Sequence, residues 1–124
     1  MNIVIDAFGG DNAPLEVIKG SIDAQKDFGV DVTLVGDETK IKKYAQDNGL
    51  DITALHIKHA GTVIEICEEP TEVIKGKKDC SMAVGMKMLA DGEGDAFVSA
   101  GSTGALVVGA TFIVKRIKGI KRPA

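Results

Sequence analysis

Tryptophan is absent from this 124-residue chain, tyrosine occurs once and phenylalanine only four times. The core must therefore rest on Val, Ile, Leu, Ala and Met. Cysteine is almost as scarce. Cys67 and Cys80 lie 13 residues apart with no CxxC pair and no histidine-rich frame, which excludes a disulfide framework and a zinc site of the usual spacing. Reduced, structural thiols are the expectation. Long apolar runs are missing too: Ala96 to Val114 carries no charge, but Ser99 to Gly104 interrupt it and leave 11 mostly apolar residues, too few to span a bilayer. Met1-Asn2-Ile3-Val4 shows no basic region or cleavage pattern, so a cytoplasmic protein is expected.

Charge excludes a further class. The net charge of -3 argues against a general nucleic-acid binder. Its distribution is uneven, since Lys115, Arg116, Lys118, Lys121 and Arg122 leave 10 basic against 18 acidic residues before them. Such a tail suits either a solvated helix end or a patch for an acidic partner. Several motifs are lacking as well. Gly104 is followed by Ala105 where a P-loop needs Lys, no GxGxxG is present, and no Ser-His-Asp or Cys-His set is legible. Neither His56 nor His59 has a partner at metal-ligand spacing, so both are expected at the surface or in turns, with no metal or cofactor.

What is present is 44% hydrophobic residues, 27% charged residues and fifteen glycines, the composition of one soluble globular domain with many tight turns. The stretch Asp95-Ala96-Phe97-Val98-Ser99-Ala100-Gly101-Ser102-Thr103-Gly104-Ala105 predicts a buried strand over Ala96–Val98, a turn of tiny residues, and then a helix with Leu106, Ala110, Ile113 and Ile117 along one stripe. A strand, a glycine turn and a helix start in series can hold an anion. They also make a plain connection with an N-cap.

A second such stretch opens the chain. Asn2 to Ile5 predicts a strand, Asp6-Ala7-Phe8-Gly9-Gly10-Asp11-Asn12-Ala13 a turn, and Pro14 the start of a helix with Leu15, Ile18 and Ile22 buried and Gly29 ending it. Val30 to Val35 predicts the next strand, closed by Gly36. Its helix is capped by Asp37 or Thr39, buries Ile41, Tyr44 and Ala45, and stops at Gly49. Ile52 to Ile57 predicts a third strand. Val63-Ile64-Glu65-Ile66 is a short apolar run, Thr71 to Lys75 a helical turn, and Met82, Met86 and Leu89 the stripe of a helix ending at Asp91-Gly92-Glu93-Gly94. This alternation predicts an α/β fold with an open, mainly parallel sheet and helices on both faces. Ligands collect at the carboxyl edge of such sheets, where both glycine-rich turns fall. Glycine N–H groups, small hydroxyls, Lys77 and Lys78 suit a small phosphate better than a large nucleotide.

Asp6-Ala7-Phe8-Gly9-Gly10-Asp11-Asn12-Ala13-Pro14, Leu34-Val35-Gly36-Asp37, Lys77-Lys78-Asp79-Cys80-Ser81-Met82 and Asp95 to Ala105, with Thr111-Phe112-Ile113, Arg116 to Ile120 and Arg122-Pro123-Ala124, together resemble the phosphate acyltransferase family of bacterial phospholipid synthesis, the PlsX family. The resemblance covers essentially the whole chain. It implies transfer of a fatty acyl group from acyl carrier protein to inorganic phosphate, giving acyl phosphate for phospholipid synthesis. It also implies a phosphotransacetylase- or isocitrate-dehydrogenase-like fold, no cofactor, and a homodimer that works peripherally at the cytoplasmic membrane face. Phosphate is then assigned to Ser99, Gly101, Ser102, Thr103 and Gly104 with Lys77 or Lys78 as charge partner. Gly9 and Gly10 line the facing wall, and Asp6, Asp11 and Ser102 are the catalytic candidates.

Phe8 stands where the family commonly has Met, Asn12 where it often has His, and Ser102 where Asn is common. Family members are roughly two to three times longer, within the range of two-part α/β enzymes. Residues 1–124 are therefore expected to form the N-terminal α/β portion of a longer chain, with little acyl-transfer activity alone. Two alternatives remain at this point: a non-catalytic phosphate-binding module, and a kinase-like phosphotransferase using the Asp6 turn.

Overall fold

In the computed structural model, which describes residues 1–62 and 69–122, four parallel strands form one sheet in the order β3-β2-β1-β4. The elements run β1 (Asn2–Asp6), α1 (Leu15–Phe28), β2 (Asp31–Gly36), α2 (Glu38–Asp47), β3 (His56–His59), α3 (Glu72–Lys75), α4 (Ser81–Ala90), β4 (Ala96–Val98) and α5 (Thr103–Gly109), which continues as a π-helical turn over Ala110–Val114. The apolar run Val63 to Ile66, Cys67 and the end of the tail lie outside the described residues.

β2 shows why the strands read as nearly continuous apolar runs. Val32 and Leu34 pack with Ala7, Ile18 and Ile41 under α1 and α2. Val35 faces the opposite side with Val4 and Met88 of α4. A parallel strand covered on both faces has no polar side to present, and each aliphatic chain so buried contributes about 1.5–3 kcal/mol. The one polar residue inside β2, Thr33, is satisfied by donating to Asn2 Oδ1 at 3.0 Å.

Turn chemistry sets the helix ends. Asp37, not Thr39, caps α2, its Oδ1 accepting from Lys40 N–H at 3.1 Å. Gly29 ends α1 at φ 62, a conformation that favours glycine. Only Ile41 and Ala45 of α2 are buried; Tyr44 is 41% exposed. In α4, Met88 and not Leu89 completes the buried set with Met82 and Met86.

Two elements differ from expectation. β3 begins at His56 instead of Ile52, because Asp51 Oδ1 accepts from both Thr53 N–H (3.0 Å) and Thr53 Oγ1 (2.7 Å) and holds the chain in a turn. The histidines thus sit in an outer strand, exposed, and His59 Nδ1 accepts from Glu38 N–H at 3.3 Å. The last helix buries Ala105 and Gly109, while Ala110 is exposed. A π turn adds one residue per turn and slips the stripe, and Lys115 then leaves the helix at φ 74, so Ile117 is 81% exposed.

Candidate active site

The sheet order creates a switch point. From β1 the chain adds β2 and then β3 on one side, and later returns to add β4 on the other. The connection leaving β1 runs to α1 on one face, while that leaving β4 runs to α5, which packs with α3 and α4 on the other. Between them opens the crevice in which open α/β sheets bind ligands. Both glycine-rich turns border it.

Asp6, at the end of β1 and only 3% exposed, holds the two turns together. Its Oδ1 accepts from Phe8 N–H at 3.1 Å and its Oδ2 from the Ser99 hydroxyl at 2.8 Å. Ser99 Oγ in turn accepts from Gly101 N–H at 3.1 Å. Gly9 lies against all three: a Cβ there would stand 2.7 Å from Asp6 Oδ2, 2.7 Å from Ser99 Oγ and 2.8 Å from Gly101 N. Gly10 adopts φ +98 beside Ala100, a backbone choice that favours glycine. Among the described residues, the N–H groups of Gly9 and Gly10 meet no acceptor.

The remaining candidates spread outward. Ser102 caps α5, its Oγ accepting from Ala105 N–H at 3.3 Å, which leaves its own O–H to donate. Thr103 and Gly104 are exposed at the start of α5, with Gly104 against Pro70. Asp11 is exposed in the β1–α1 loop. Lys77 is half-buried between α3 and α4, its N–H donating to Glu72 O at 2.7 Å. Lys78 borders a groove with Val73, Ile74, Ala83 and Phe112, not with the Ser99–Gly104 turn.

Sequence reasoning missed the floor of the crevice. Met82 Cε lies close beneath Gly101, and Cys80 caps α4 with Sγ accepting from Ala83 N–H at 3.3 Å. Apolar spacing marks Met82 as core and gives no sign of what it touches. Burial pushes the Cys80 thiol above its ordinary pKa, and the negative charges of Asp6 and Asp79 add to this against the opposing N–H groups of Ala83 and Met82. A raised pKa favours the protonated thiol in the fold. Its contribution to stability is present below the unfolded-state value of about 8.5 and is lost as pH rises through the folded value. In a Cys67→Ser background, Cys80 should react with iodoacetamide at pH 8 more than about tenfold slower in native protein than in denaturant, because only thiolate attacks. Equal rates would contradict this placement.

A parallel α/β sheet with a glycine-lined switch-point crevice is the architecture of a phosphotransacetylase-like protein. EutD phosphotransacetylase from Staphylococcus aureus superposes with a TM-score of 0.69 at 26% identity, over 98% of this chain and 40% of that one. Over residues 1–124 the sequence matches the family described as fatty acid synthesis protein, and the chain belongs to that family. The phosphate acyltransferase of Acetivibrio thermocellus is 46% identical over 100% of this chain and 37% of its own length. That of Clostridioides difficile is 43% identical over 99% of this chain and 36% of its own. The chain thus spans little more than a third of the relatives it matches.

Proposed function

We propose that these residues form the phosphate-holding half of an active site that transfers a fatty acyl group from acyl carrier protein to inorganic phosphate. A phosphate oxygen attacks the thioester carbonyl carbon, the tetrahedral oxyanion collapses, the C–S bond breaks, and acyl phosphate and the carrier thiol are released. No covalent enzyme intermediate is needed. The protein must orient phosphate and stabilise the oxyanion.

The observation that carries this is the meeting of Gly9 with Ser99 and Gly101 over Asp6. On this reading the N–H groups of Gly9 and Gly10 and the hydroxyls of Ser102 and Thr103, which follow Gly101 directly, supply the donors to phosphate. Asp6 fixes Ser99, and in this proposal Asp11, exposed in the β1–α1 loop, takes the proton of monohydrogen phosphate and returns it to the departing thiolate. The relatives' name, phosphate acyltransferase, supports the same chemistry. The proposal includes acyl carrier protein as donor, and a homodimer at the cytoplasmic membrane face in the longer chain. Among the described residues no helix is long and apolar enough to cross a membrane.

Titration with inorganic phosphate, followed by amide NMR, tests the site. Gly9, Gly10 and Gly101 should shift without ATP or magnesium. The Ser102→Ala/Thr103→Ala variant should bind at least about tenfold more weakly, since even one hydrogen bond to a charged group is worth about 1.5–3 kcal/mol and a decade is about 1.4 kcal/mol. Unchanged affinity would place phosphate elsewhere, and a requirement for ATP with magnesium would favour a phosphotransferase.

A further inference from the structure

The β1–α1 loop has two sides. The Phe8 N–H points to Asp6 in the crevice. Its ring lies over Gly36 at the end of β2 and, with Pro14 and Tyr44, borders a separate groove of about 520 Å³ against α2. That volume suits a small ligand.

Lys40 and Lys43 of α2 line the same groove, and Asp47 is the one acid lining it among the described residues. Lys42, between them in sequence, is held by Glu38 at 2.6 Å. Lys40 and Lys43 have no ion-pair partner among the described residues. Two uncommitted ammonium groups beside two aromatic rings and a proline fit an anion joined to an uncharged, partly apolar chain. We infer that this groove seats the phosphate-ester end of the acyl donor's thiol-bearing arm, a phosphopantetheine-type chain. The inference rests on the proposed use of a thioester donor.

In this arrangement Lys40 and Lys43 face the ester phosphate, the Tyr44 hydroxyl is available to the arm's amides, and Phe8 and Pro14 cover its methyl groups. Phe8 joins groove and crevice, so the arm passes the loop with its thioester toward Gly9 and Ser99. The ester phosphate and the acceptor phosphate then occupy separate places on either side of one loop.

Amide NMR titrations of the chain with phosphopantetheine, pantetheine and inorganic phosphate test this. Phosphopantetheine should shift Phe8, Lys40, Lys43 and Tyr44, and Lys40→Gln/Lys43→Gln should weaken it about tenfold, with glutamine keeping the helix propensity of α2. Pantetheine should bind markedly more weakly. Inorganic phosphate should shift Gly9 and Gly101 equally in both proteins. Unchanged phosphopantetheine affinity in the variant, or shifts confined to Gly9 and Gly101, would overturn the groove assignment while leaving the acyl-transfer proposal standing. Failure of inorganic phosphate to bind, with phosphopantetheine still filling the groove, would sink that proposal and uphold the groove.

Discussion

Asp6→Ala is expected to destabilise the chain by about 2–4 kcal/mol, seen as a lower urea midpoint at an unchanged slope. The carboxylate is nearly inaccessible and satisfies two donors, Phe8 N–H and the Ser99 hydroxyl. Alanine leaves both unpaired, and it removes the carboxylate that ties the turn after β1 to the turn after β4 through Ser99. Asp6→Asn separates shape from charge. Its amide oxygen still accepts from Phe8 N–H, and its NH₂ can donate to Ser99 Oγ, which has lone pairs for this and for Gly101 N–H. That variant should stay within about 1 kcal/mol of the parent. It should also bind phosphate no less tightly, because a negative charge beside the anion has been removed. Equal destabilisation by Asn and Ala would show that the charge, not the acceptor geometry, holds the crevice.

Much of this architecture was legible locally. β1, β2 and β4 are short apolar runs bounded by glycine or aspartate, and α1 and α2 carry their own start and stop signals in Pro14, Gly29, Asp37 and Gly49. Parallel pairing then places the ends of β1 and β4 together, with Ile5 beside Val98, so Asp6, Gly9, Ser99 and Gly101 meet although Asp6 and Ser99 are 93 residues apart. Spacing alone does not give that contact. It follows from the topology, which the alternation of strands and helices implied and the glycine turns marked.

What was not legible depended on competition between local and tertiary forces. Ile52 has the composition of a strand residue, but the Asp51 turn takes its backbone first, and Ile52 instead packs sideways into the cluster under α1 and α2. The phase of α5 is lost at a π turn that no residue type announces. Lys78 is a further case. Its neighbours Lys77 and Asp79 are polar, so nothing in sequence says which way it points from the connection between α3 and α4, and it borders a groove with Val73 and Phe112.

Gly9→Ala should be the most damaging single methyl in the chain for phosphate binding. Gly9 is buried, and its φ lies outside the left-handed region, so alanine meets no torsional penalty and would gain about 0.4–1 kcal/mol from a less flexible unfolded chain. Sterics oppose that gain. The new Cβ would stand 2.7 Å from Asp6 Oδ2 and Ser99 Oγ and 2.8 Å from Gly101 N, distances at which something must move. Two of these atoms belong to short side chains hydrogen-bonded to each other and the third is backbone. None is the far end of a flexible chain. Overpacking of this kind costs about 1–3 kcal/mol, so the net effect is destabilising, and relief comes only by separating the β1 turn from the β4 turn. Phosphate affinity should therefore fall more than about tenfold even where the protein is folded, one decade being about 1.4 kcal/mol. Gly20→Ala is the control, because a Cβ there meets nothing within 4 Å, and alanine in the middle of α1 should stabilise by about 0.5–1 kcal/mol with phosphate binding untouched. If Gly9→Ala behaves like Gly20→Ala in both measurements, the two turns do not close on each other in solution, and the crevice at the switch point is not the phosphate site.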